Sequence, residues 1–60
     1  MKIPPYAQDF RINYGNGQCT SPYGSFKVCN HYFKLWKKSY SFIEFQDADT
    51  KDWFPLEDNA

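Results

Sequence analysis

Sixty residues make one domain at most, and a chain of this size buries only about 60% of the surface its unfolded form exposes, so its stability depends on dense packing. Six Phe, five Tyr and two Trp, 22% of the chain, provide that density and exclude the disorder that accompanies aromatic-poor compositions. The formal charge of zero is a cancellation: residues 1–43 carry six bases against Asp9, and residues 44–60 carry six acids against Lys51.

At the amino end, Met1-Lys2-Ile3-Pro4-Pro5 runs into polar residues where a secretory signal would need an apolar core. No run approaches the roughly 20 apolar residues that span a bilayer, so a soluble, cytoplasmic product is expected. Phe10, Ile12 and Tyr14 alternate with Asp9, Arg11 and Asn13, the period-two pattern of a half-buried strand. Asn16-Gly17 supplies the positive φ angles of a tight turn, and residues 18–20 are expected to return as the second strand of a hairpin. Pro22 and Gly24 stop it.

Residues 26–38 fail as a strand, because polar and apolar side chains fall on both parities. At about 100° per residue they separate. Lys27, Asn30, His31, Lys34, Lys37 and Lys38 occupy one arc, and Phe26, Val28, Cys29, Tyr32, Phe33, Leu35 and Trp36 occupy the opposing arc of roughly 180°. The spacing predicts an amphipathic helix whose apolar arc builds the core. Ser25 is the expected N-cap, and Lys37 and Lys38 suit the negative end of the helix dipole.

Residues 40–45 read as a further strand, apolar on both parities. Residues 47–52 are polar and turn-like, and Trp53-Phe54-Pro55-Leu56 is an apolar clip before a polar end. The expected fold is therefore α+β. A β-hairpin is followed by one amphipathic helix packed on a small antiparallel sheet, which a third strand completes. Residues 1–60 form a single domain, with 47–60 an acidic, partly ordered tail.

Two constellations are candidate binding surfaces. Lys27, His31, Lys34, Lys37 and Lys38 would line about 20 Å of exposed helix, a stripe suited to an acidic protein surface or a phosphate backbone. The same residues would also serve as the ordinary solvated face of a helix. Membrane-surface binding is set aside, since the core requires the apolar arc. In the second constellation, Trp53 and Phe54 lie among Asp47, Asp49, Asp52, Glu57 and Asp58. They read either as interface anchors, together with Tyr23, or as core residues whose neighbouring carboxylates neutralise the helix lysines.

Cys19, Cys29 and His31 do not make a four-ligand zinc set in any familiar spacing. On a helix, Cys29 and His31 point about 160° apart. No metal and no cofactor is expected, and with no signal peptide the two thiols are expected to be reduced. Tyr14-Gly15-Asn16-Gly17-Gln18-Cys19 resembles the amino-terminal box of the pediocin-type bacteriocins over six residues. The cysteine comes one residue early, Cys29 is too distant to be its partner, and an acidic tail follows, so no antimicrobial function is carried over.

One histidine, one arginine and no nucleophile beside a base leave little for catalysis, and no phosphate loop is present. The expected function is a small non-catalytic interaction protein that binds a macromolecule, foremost a protein, and modulates or inhibits it. In general terms this resembles the stand-alone inhibitors and adaptors of phages and mobile elements. The alternative is a nucleic-acid-binding domain using the lysine face on phosphates, and a self-associating subunit is a third class.

Overall fold

The alternation of Phe10 and Ile12 with Arg11 and Asn13 makes a strand, β1 (Ala7–Asn13), with one apolar and one polar face. After the helix α1 (Phe26–Trp36), the apolar run gives β2 (Phe42–Asp47), and the clip forms a short β3 (Trp53–Pro55). The three strands form one antiparallel sheet in the order β1-β2-β3, with α1 across one face: the expected α+β arrangement. The computed structural model describes residues 3–36 and 39–56.

The hairpin differs from the sequence expectation. Residues 18–20 meet β1 only at an isolated bridge between Asn13 and Cys19. The strand that pairs along β1 is β2, with Arg11 opposite Glu44 and Ile12 opposite Ile43. The physical reason lies in burial: pairing with β2 places Phe10, Ile12, Ile43 and Phe45 on one face, where the short polar segment 18–20 offers no apolar row. Within the segment expected to be an acidic, partly ordered tail, residues 47–56 form a turn and β3. Asp47 organises that turn, its Oδ1 accepting from the Asp49 and Thr50 amides at 2.7 and 3.1 Å, while Lys51 takes a left-handed φ of 66°.

The outer edge of β1 is covered by a loop, and that of β3 carries a proline. Along β1, Phe10 O accepts from Tyr23 N and Ile12 O from Thr20 N, each at 2.9 Å, while Ile12 N donates to Thr20 Oγ1 at 3.0 Å. Asp9 Oδ1 fixes this covering loop by accepting from Gly24 N at 2.8 Å, and also accepts from Phe10 N. On β3, Leu56 N donates to Ile43 O and Asp52 O accepts from Asp47 N. The backbone N–H and C=O of Phe54 therefore point toward β2, and the backbone polar groups of Trp53 and Pro55 point away from it. Pro55 has no N–H to offer a fourth strand.

The core joins Phe10, Ile12, Ile43, Phe45 and Leu56 of the sheet side to Cys29 of α1, with Tyr23, Phe26 and Phe33 partly buried around them. Ile12 and Cys29 are fully enclosed. On the opposite face, Arg11 of β1 donates through Nε to Glu44 Oε1 of β2 at 2.8 Å and stacks 4.2 Å from the Trp53 ring of β3. Asn13 Nδ2 also reaches Glu44 Oε2, at 3.4 Å. These side chains tie all three strands and pair a carboxylate that is itself buried.

Two local devices set α1 in place. Ser25 is the N-cap, its Oγ accepting from Val28 N at 3.3 Å. Gly15, at φ 86°, passes so close to Tyr40 that a Cβ on it would stand 2.7 Å from the Tyr40 Cβ. Replacing Ser25 by Ala is expected to cost about 1 kcal/mol in urea unfolding. Gly15→Ala combines a disfavoured φ with a steric clash and is expected to cost at least about 2 kcal/mol; an unchanged midpoint would refute that reading.

Candidate functional interface on helix α1

Around α1, the apolar arc divides into two parts. Phe26, Cys29 and Phe33 face the sheet. Val28, Tyr32, Leu35 and Trp36 are exposed, Leu35 at 65% and Val28 at 42% of their full accessibility. The expectation that the whole arc builds the core is thus corrected. The helix rests on β1 and β2, and a three-stranded sheet presents too little width to cover an arc of roughly 180°.

The exposed flank is bordered by an aromatic row that sequence periodicity did not reveal. Tyr23 stacks on Tyr32 with centroids 5.3 Å apart and planes 16° from parallel. Tyr32 meets Trp36 at 6.0 Å, and Trp36 meets Tyr14 at 6.1 Å. Tyr14 and Tyr23 come from the two ends of the loop that closes the β1 edge, so the row exists only because that loop brings them to the helix. The legible signal was the width of the apolar arc, larger than the stripe of about 100° that such a helix needs.

On the far border of the flank, Lys27, His31 and Lys34 are exposed. His31 lies edge-on to Tyr32, with centroids 5.2 Å apart. Neither Lys27 nor Lys34 pairs with a described carboxylate; among the described residues the one ion pair is Arg11–Glu44. The idea that the acidic stretch folds back on these lysines is not what the described carboxylates do, since Asp47 is committed to its own turn. Lys37, Lys38, Glu57 and Asp58 lie outside the described residues.

The proposed anchors do not form one surface. Tyr23 belongs to the aromatic row beside α1. Trp53 is half-buried under Arg11 on the sheet face away from the helix. Phe54, exposed at the β3 edge, has its ring 5.8 Å from that of Phe45. The lysines and Tyr23 are therefore brought together by α1, whereas Trp53 and Phe54 stand apart from them.

Cys19 and Cys29 are both free thiols. The sheet separates them: Cys29 packs among the residues under the helix, and Cys19 Sγ lies 3.6 Å from Glu44 Oε1 on the opposite face. Among the described residues no cluster of His, Cys, Asp and Glu could hold a metal ion, and no helix is long and apolar enough to cross a membrane. Burial, reinforced by the nearby Asp9 charge, pushes the Cys29 thiol up to about 11, while burial raises Cys19 to a lesser degree.

Below about pH 9 Cys29 is protonated in both folded and unfolded chains. Between that point and about 11 only the unfolded chain deprotonates, so stability falls as pH rises through this window. The melting temperature is expected to drop between those pH values and to drop less in Cys29→Ala. Iodoacetamide should label Cys19 in the folded protein and Cys29 only on unfolding; equal labelling rates would contradict the burial. No protein-family model matches the chain, and comparisons with curated proteins and with solved structures find no match.

Proposed function

We propose that this protein is a non-catalytic interaction module that binds another protein through the exposed flank of α1 and modulates that partner by occupying its surface. The observation that carries the reading is the divided apolar arc. Val28, Tyr32, Leu35 and Trp36 stay in water although each is apolar enough to be worth burying. Tyr and Trp dominate binding hot spots because they bring large area at small entropic cost. A row of Tyr14, Trp36, Tyr32 and Tyr23 fits that role, with Lys27 and Lys34 as a charged rim that steers encounter and His31 between them. Two unjoined thiols suit a reducing compartment such as the cytoplasm.

The same row supports a second reading, a single-stranded nucleic-acid surface. Rings that stack successively beside ammonium groups are what bases and phosphates require. Against it stand the zero net charge and the engagement of Arg11, the sole arginine, with Glu44 and Trp53.

Leu35→Glu separates these possibilities. Leu35 is the most exposed residue of the flank, so the substitution should leave unfolding stability within about 0.5 kcal/mol. Affinity capture from a nuclease-treated native lysate should then yield a protein retained by the wild type and lost, or at least about tenfold depleted, on the variant. Identical captures by the two proteins would remove the flank from the function. Binding of a single-stranded oligonucleotide that weakens steeply with added salt would favour the second reading.

A further inference from the structure

We infer that the occupant of the α1 flank is an amphipathic helix of a partner protein whose polar margin is acidic. This rests on the reading of that flank as the binding surface, and three observations narrow the partner. The first is the spacing of the crest. Val28, Tyr32 and Leu35 stand at i, i+4 and i+7, so they form a straight seam about 10 Å long along α1. Alternating steps of four and three residues are the repeat with which one helix receives the side chains of another.

The second observation concerns the modes of recognition that the fold leaves open. An extended peptide commonly binds by adding a strand to a sheet edge. Here Thr20 and Tyr23 already occupy the outer edge of β1, and Pro55 lacks the donor that a fourth strand would need beside β3. The flank of α1 is an apolar, uncovered helix face, which suits a partner helix better than an added strand.

The third observation is charge. The two borders of the seam differ: Tyr14, Tyr23 and Trp36 lie on one side, and Lys27, His31 and Lys34 on the other. Residues 26–36 contain no Asp or Glu, so the rim meets no counter-charge on its own helix. A second copy of this chain would bring a helix equally devoid of carboxylates. Its described acidic turn, built on Asp47, is held at the end of the sheet. Among the described residues, then, this chain sets no carboxylate beside an apolar helix seam, and a different chain is the source that fits.

The test uses the full chain and two synthetic peptides of about four helical turns. Both carry leucines in four-three spacing; one has glutamates beside the seam and the other has lysines. Backbone-amide shifts and tryptophan fluorescence report binding. The glutamate peptide should bind at residues 26–36, at least about tenfold more tightly than the lysine peptide. Leu35→Glu should abolish binding, and the double variant Lys27→Glu, Lys34→Glu should reverse the preference between peptides.

Equal affinities, a preference that does not reverse, or perturbations confined to the sheet would overturn the inference. So would saturation of the flank by a second copy, seen as concentration-dependent sedimentation abolished by Leu35→Glu, or by anionic phospholipid vesicles instead of peptide. The two levels of the argument fail differently. If lysate capture still depends on Leu35 while the glutamate peptide does not bind, the acidic helix is wrong and the binding flank stands. If capture is indifferent to Leu35, both fall.

Discussion

The width of the sheet governs this molecule. Three strands spaced about 4.8 Å apart span about 10 Å, roughly the diameter of a single α-helix with its side chains. A helix laid on such a platform can bury one stripe, and α1 does so with Phe26, Cys29 and Phe33. Its remaining apolar side chains have no second layer to enter. A broader sheet or a second helix would have consumed them, and in 60 residues neither is present among the described elements.

The rest of the architecture makes that narrow platform stable. Hydrophobic contact under the helix is matched on the other face by Arg11, Glu44 and Trp53, which contribute one side chain from each strand. The arrangement uses a buried carboxylate safely, because Glu44 has Arg11 and Asn13 as donors. It also makes Trp53 part of the scaffold. Asp9 performs a comparable service at the β1 edge, joining the strand to the loop that delivers Tyr23 to the helix.

Much of this was legible from residue order. The alternation around Phe10 and Ile12, the helical separation of lysines from rings, and the Ser25 cap are local patterns, and local patterns are what a sequence displays. The hairpin partner was not legible, because Asn16-Gly17 marks a turn without stating how many residues pair after it. Only the apolar content of residues 42–45, far along the chain, makes β2 the better neighbour. The aromatic row escaped for a similar reason. Tyr14 and Tyr23 approach Tyr32 and Trp36 through tertiary folding, and periodicity within the helix says nothing about residues outside it. It also cannot say how much of an apolar arc a platform will cover, which is why Leu35 is expected in the core and stands exposed.

The placement of β2 has a further consequence for behaviour at high concentration. Residues 42–45, rich in aromatic and branched side chains that favour strand pairing, form the middle strand, flanked by β1 and β3. With Thr20 and Tyr23 on one margin and Pro55 on the other, growth of the folded molecule by strand accretion is hindered on both sides.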